Sequence, residues 1–267
     1  MTLPKSLSHA DVDVPTPDGA ADAYLVRPAG DATVPAVLMF MDAIGLRPRM
    51  REMADRVAER GCAVLVPNLF YRGGRAPVVP DVVERLQGED RGTVFEELGP
   101  FMSALTPEVS ARDTQAFVDF LDAQPGIDAS RLLTVGYCMG GNRALRAAAQ
   151  LGDRVVAAAS FHGGNLAPDE PDGAQHGAPR IRGEVYAAHA DADPSMPAEQ
   201  IARLEQALTD AGVTHTSELY EGAHHGWTMS DMPVHDAAGE QRHWDALLEL
   251  VDRTLVGADP RGAGQGA

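Results

Sequence analysis

Three segments of this chain carry residue types that can do covalent chemistry together. The first is Leu132-Leu-Thr-Val-Gly-Tyr-Cys-Met-Gly-Gly141, an apolar run that passes directly into Gly136-x-Cys138-x-Gly140. This is the nucleophile-elbow pattern G-x-S-x-G with cysteine in the serine position. A nucleophile on such a turn sits at positive φ, and side chains two positions to either side would collide, so both neighbours must be small. The second segment, Val185-Tyr-Ala-Ala-His-Ala-Asp-Ala-Asp-Pro-Ser-Met-Pro197, reads as a strand ending in a loop that holds Asp191 and Asp193. The third, Tyr220-Glu-Gly-Ala-His-His-Gly-Trp227, is a strand leading into a loop with His224 and His225. A thiol nucleophile needs a base, and the base needs an acid to orient it. The order nucleophile, acid, histidine along the chain is the one this elbow accompanies.

Taken alone, these residues leave choices open. Asp191 and Asp193 are also the residue types that make turns or cap the helix starting near Pro197. His224 and His225 read equally as a surface pair, and His162, at another strand end, reads as structural. Cys62 lies in an apolar strand and reads as a buried small hydrophobe. The nine histidines invite a metal site, but no H-x-x-x-H, H-E-x-x-H or C-x-x-C spacing occurs, so neither metal nor cofactor is expected.

The elements that must position this chemistry alternate. Ala23–Arg27, Ala36–Met41, Cys62–Val66, Leu132–Val135, Val155–Phe161, Val185–Ala188 and Thr214–Leu219 read as strands. Pro48–Arg60, Pro107–Ala123, Asn142–Leu151, Pro197–Ala211 and His235–Val256 show helical spacing, with Gly61 and Gly212 as stops. Short, wholly apolar strands between amphipathic helices predict a doubly wound, mostly parallel sheet of about 7–8 strands covered on both faces. This gives one α/β domain over residues 1–256 and a Gly-rich tail over 257–267. Gly73–Phe101 breaks the alternation and reads as a helical excursion over the sheet edge. Asn165–Gly183 reads as a surface loop. Strands feeding loops at the carboxyl edge of such a sheet deliver all three segments to one place.

Composition narrows the partners. With 22 basic and 39 acidic residues among 267, the net charge of −17 argues against nucleic acid and against an anionic membrane surface. The longest apolar stretches are strand-sized, well short of the roughly 20 residues that span a bilayer. Met1–Pro17 lacks the apolar core of a signal peptide. Two cysteines make no disulfide framework. The expectation is a cytoplasmic protein acting on a small molecule; the oligomeric state is not legible.

At this point the chain resembles the dienelactone hydrolase family of α/β-hydrolases over about residues 20 to 255. The landmarks are Met41-Asp-Ala-Ile-Gly45, the helix from Met50 to Arg60, Val66-Pro-Asn-Leu-Phe-Tyr-Arg72, Gly136-Tyr-Cys-Met-Gly-Gly141, Asp193-Pro-Ser-Met-Pro197 and Tyr220-Glu-Gly-Ala-His-His-Gly-Trp227. The resemblance selects Asp193 over Asp191 and His225 over His224, and so implies a Cys138–His225–Asp193 triad. It implies an oxyanion hole from the backbone N–H groups of Met139 and Ala43. It places Asp42 where the family carries a glutamate beside the resting thiol, one methylene shorter. It makes Arg72 and Trp227 the substrate-side candidates. Dienelactone-specific members carry an arginine a few residues after the histidine; here His225-Gly-Trp-Thr-Met-Ser-Asp231 has none. The implied activity is hydrolysis of a carboxylic ester or lactone. The competing expectations are an inactive hydrolase fold that binds a ligand, and a redox sensor at Cys138.

Overall fold

The computed structural model describes residues 6–88, 91–171 and 173–257. Eight strands form one sheet in the order β1-β2-β4-β3-β5-β6-β7-β8. They are β1 (Leu7–Thr16), β2 (Gly19–Pro28), β3 (Val34–Phe40), β4 (Ala63–Pro67), β5 (Ile127–Tyr137), β6 (Val155–Phe161), β7 (Glu184–Ala190) and β8 (His215–Tyr220). β2 runs antiparallel to both β1 and β4, and every pairing from β4 to β8 is parallel. The helices are α1 (Pro48–Ala58), α2 (Val82–Gln87), α3 (Arg91–Ala104), α4 (Pro107–Asp122), α5 (Met139–Leu151), α6 (Ala198–Asp210) and α7 (Ala237–Val251), the last extended by a π turn over Asp252–Val256.

The α/β fold expected from the alternation is the fold observed. The central strands are apolar because both faces are covered: β4 is buried throughout, and β3 at all but Pro35. α1 buries Met50, Met53, Ala54, Val57 and Ala58, the spaced apolar positions, and Pro48 sits at its start, where a missing N–H costs nothing. From β3 the chain steps outward to β4 and then crosses to β5 on the other side. The carboxyl ends of β3 and β5 are therefore a topological switch point, where such sheets open a crevice.

Three expectations change. β1 is an additional strand: its LSHADVDVPT run is mostly exposed, so polar residues such as Asp11 and Asp13 conceal an edge strand that pairs with β2 through a tight hairpin. α5 starts at Met139 rather than Asn142, because Gly140 and Gly141 are there for close approach and do not signal a break; a Cβ on Gly140 would lie 2.4 Å from the Phe40 carbonyl oxygen. Segment 165–183 is not simply surface loop. Leu166, Ala167, Ala174 and Ala178 are buried, and a 3-10 turn over Ala174–Arg180 packs on α5 through its small residues. The helical excursion is α2 and α3, and it lies over the carboxyl edge of the sheet, where Leu86 and Phe95 reach the cavity described below. The tail expected to fray lies, from position 258 on, outside the described residues. No helix among the described residues is long and apolar enough to cross a membrane.

Candidate active site

Cys138 makes the whole turn between β5 and α5, with φ 55° and ψ −123°. That backbone state is strained for a residue with a side chain, and the surroundings over-determine it. A Cβ on Gly136 would lie 2.0 Å from the Gly140 carbonyl oxygen, so glycine is required there. The Cys138 N–H is shared between the Phe161 carbonyl and Nδ1 of His162, each at 3.1 Å. Because that Nδ1 accepts a hydrogen bond, the His162 proton sits on Nε2 and points to Thr228 Oγ1, 2.8 Å away. Burial, then the charges of His225 and His243, hold His162 well below the ordinary histidine range, so it is neutral. His162, which reads from the sequence as merely structural, braces the backbone of Cys138 itself.

The candidate acid and the candidate base come from the ends of β7 and β8. Asp193 Oδ2 lies 2.5 Å from His225 Nδ1. Asp193 Oδ1 accepts the Ser195 N–H and hydroxyl, both at 2.8 Å, and the Ser195 oxygen is 3.3 Å from His225 Nδ1. An Asp-x-Ser turn of this kind holds an aspartate by its own backbone. Burial pushes Asp193 up, but the bonds from His225 and Ser195 outweigh it and keep the carboxyl below its usual value. Burial pulls His225 down, yet its hydrogen bonds to Asp193 and to the Cys138 sulfur raise it to about 10. His225 therefore holds its proton at neutral pH, with sulfur on one side and carboxylate on the other. Asp191 instead accepts the Gly222 N–H at 3.0 Å and steadies the turn before the histidines, while His224 is exposed.

An expected result follows from this arrangement. Asp193→Asn removes the main influence raising His225. The imidazolium should then lose its proton at lower pH, and the alkaline limb of the pH–rate profile should move down from near 10 toward the ordinary histidine range. Turnover should fall by roughly 10²-fold with it. A profile of unchanged shape would mean that Asp193 does not act through His225.

Cys138, His162 and His225 line a cavity of about 130 Å³ together with Asp42, Ala43, Ile44, Leu86, Arg91, Phe95, Met229, Met232 and Val234. Its wall is mainly apolar. Met139 opens α5, and among the described residues neither its N–H nor that of Ala43 meets an intramolecular acceptor. Asp42 contributes to this by taking the next two N–H groups, Ile44 at 2.9 Å and Gly45 at 3.3 Å, on Oδ1.

Asp42 is not the thiol partner the resemblance implies. Its carboxylate is gripped on both oxygens by Arg47, at 2.7 and 2.9 Å, and the shorter side chain turns back onto its own loop. Arg47 continues to Asp231 through Nε, at 2.6 Å. The result is a buried carboxylate–guanidinium–carboxylate bridge that ties the β3–α1 loop to the segment after His225. The other two substrate-side candidates are also corrected. Arg72 is not in the cavity wall: it is held by Asp18 and Asp113, at 2.7 Å each, and braces the loop after β4. Trp227 is fully buried, stacked on Tyr220 at 4.8 Å and edge-on to His162 at 4.9 Å, and so packs behind the site. Arg91, unnoticed in the sequence because its segment fits no strand–helix pattern, reaches the cavity from α3. Cys62 is buried against α1, as expected of a core thiol, with its sulfur 3.4 Å from the Val57 carbonyl oxygen.

A model of the dienelactone hydrolase family matches residues 21–255. A carboxymethylenebutenolidase of Rhodococcus opacus is 27% identical over 253 residues, covering 90% of this chain and 90% of that protein. Among solved structures, one named m3DLH superposes with a TM-score of 0.76 at 28% identity, over 93% of this chain and 99% of that one. A dienelactone hydrolase-like promiscuous phosphotriesterase from metagenomic libraries gives a TM-score of 0.74 at 23% identity, covering 93% and 99%. That last likeness speaks for the fold alone.

Proposed function

Because the chain belongs to the dienelactone hydrolase family, and is a carboxylic ester hydrolase of that kind, we propose that it cleaves a lactone or activated ester through a Cys138–His225–Asp193 triad. The observation that carries this is the imidazole of His225, bonded to Asp193 at 2.5 Å and lining one cavity with Cys138, which the elbow places there.

In the resting pair Nε2 of His225 already holds the proton given up by the Cys138 thiol, because Nδ1 is committed to Asp193. The sulfur then attacks the carbonyl carbon and a C–S bond forms. The electron pair moves to the carbonyl oxygen, which the N–H groups of Ala43 and Met139 receive; each such donor is worth roughly 3 kcal/mol at the transition state. When the tetrahedral centre collapses, the C–O bond to the alcohol breaks and His225 protonates the leaving oxygen. Neutral His225 next takes a proton from water, which attacks the thioester and frees Cys138. A histidine that holds its proton in the resting pair is better prepared for the second role, as acid, than for the first. This favours substrates whose leaving oxygen is an enolate or phenolate and whose ring or acyl group is small.

The cavity also bears on charge. Where lactone-specific relatives are expected to carry arginine, Met229 stands in the wall, and Arg47 spends its N–H groups on Asp42 and Asp231. Arg91 is the cation left at the rim among the described lining residues. In a comparison of small lactones and aryl esters with and without a free carboxylate, the uncharged compounds should have the higher kcat/KM. Arg91→Ala should reduce kcat/KM only for the carboxylated ones. A strong preference for carboxylated lactones that survives Arg91→Ala would overturn this substrate assignment.

A further inference from the structure

Asp193 is gripped by a residue that the proposed triad does not use. Both donors on its Oδ1 come from Ser195: the backbone N–H and the hydroxyl, each at 2.8 Å. A carboxylate held on one oxygen by two donors resists turning about its Cβ–Cγ bond, so the other oxygen, Oδ2, stays aimed at His225 Nδ1, 2.5 Å away. The Asp193 side chain is 2% exposed, so its donors come from the protein rather than from solvent. The same hydroxyl oxygen lies 3.3 Å from His225 Nδ1. A hydroxyl has one proton and two lone pairs. Its proton is committed to Asp193, which leaves a lone pair facing the Nδ1–H of His225. That N–H is therefore shared between a charged oxygen and a neutral one.

Ser195 is itself held from another side. Its carbonyl accepts the Asn165 N–H at 2.7 Å, and the Gly164 N–H reaches the Cys138 carbonyl at 3.4 Å. Two consecutive residues after β6 thus join the backbone of Cys138 to the loop of Asp193. A Cβ on Gly164 would lie 2.8 Å from Ser195 Oγ, so this glycine backs directly onto the hydroxyl and restricts its rotamers. Ser195 is not among the described residues that line the Cys138 cavity. Its contacts are with the candidate acid and base, not with the space a substrate would fill.

We infer that Ser195 is a positioning residue for the proposed reaction, whose hydroxyl fixes the Asp193 carboxylate against His225 and gives the Nδ1–H a second acceptor. The inference rests on the Cys138–His225–Asp193 reading. With an aryl acetate as the probe, Ser195→Ala should lower kcat about tenfold, the size of one hydrogen bond to a charged group. KM should stay within about twofold of the parent value, because the cavity wall is untouched. A residue that acts through Asp193 has little to act on once Asp193 is changed. Ser195→Ala added to Asp193→Asn should therefore cost less than about twofold further. A serine that only supports the fold would give its full loss in both backgrounds. Rates are compared well below the melting temperature of each variant, so that lost stability does not enter them. Parent-like kcat in Ser195→Ala, a fall confined to KM, or a further loss of about tenfold on top of Asp193→Asn would overturn the inference and leave the triad standing. Parent-like activity of Asp193→Asn would overturn the triad reading, and this inference with it.

Discussion

Cys138→Ala should lower turnover of an aryl acetate by at least about 10³-fold, with the melting temperature close to that of the parent protein. The size follows from the division of labour in such sites: removing the nucleophile leaves only what binding and the oxyanion hole contribute. The fold should be retained because alanine bears the same Cβ at the same strained φ of 55°, and because Gly136, Gly140 and the His162 bond to the Cys138 N–H remain in place. Cys138→Ser is the companion variant. It preserves volume and a nucleophilic atom, but a hydroxyl gives up its proton far less readily than a thiol, so it should also be severely impaired. Cys62→Ala removes a small group from the core and should cost stability without abolishing turnover. If Cys138→Ala kept most of its activity, the nucleophile would lie elsewhere.

The second large effect is expected at Arg47. Its side chain is 3% exposed, and it separates Asp42, 5% exposed, from Asp231, 21% exposed. Arg47→Met keeps most of the volume and leaves two carboxylates facing each other with no cation between them. Breaking a buried ion pair from one side costs about 3–5 kcal/mol. For a chain of this length that corresponds to a fall in melting temperature of roughly 10 °C. Turnover should fall further than stability alone explains, since the same bridge aligns the loop of Ala43 with the segment after His225. Adding Asp231→Asn should recover part of the loss. A stability change under about 1 kcal/mol would show that the bridge is a surface pair of the ordinary weak kind.

The legibility of this molecule follows the physics of each part. The residues of the proposed triad stood out because covalent chemistry at a strand end would leave local marks: glycines two positions either side of Cys138, and an Asp and a His each following an apolar run. The choice between Asp191 and Asp193 was not local. Both are loop acids in one short segment, and they differ in which backbone each grips: Gly222 for Asp191, Ser195 for Asp193. The central strands announced themselves through continuous apolar runs, whereas β1 did not, because an edge strand with most of its side chains in water has no buried face to write into its sequence. Asp42, Arg72 and Trp227 were assigned by position alone. Each has the right place in the chain, but Arg47, the Asp18–Asp113 pair and Tyr220 occupy them instead. Such partners lie far away in sequence and carry no spacing signal.

The central claim is a covalent bond from substrate to Cys138, and rapid quenching tests it most directly. The enzyme is mixed with an excess of an activated aryl acetate, stopped with acid within the first turnover, digested, and its peptides are weighed. One acetyl group is expected on the peptide containing Cys138 and none on the peptide containing Cys62. His225→Ala, which removes the proton acceptor, should not accumulate the adduct on this timescale. Turnover proceeding at full rate with no acyl group on Cys138 at any quench time would contradict the account.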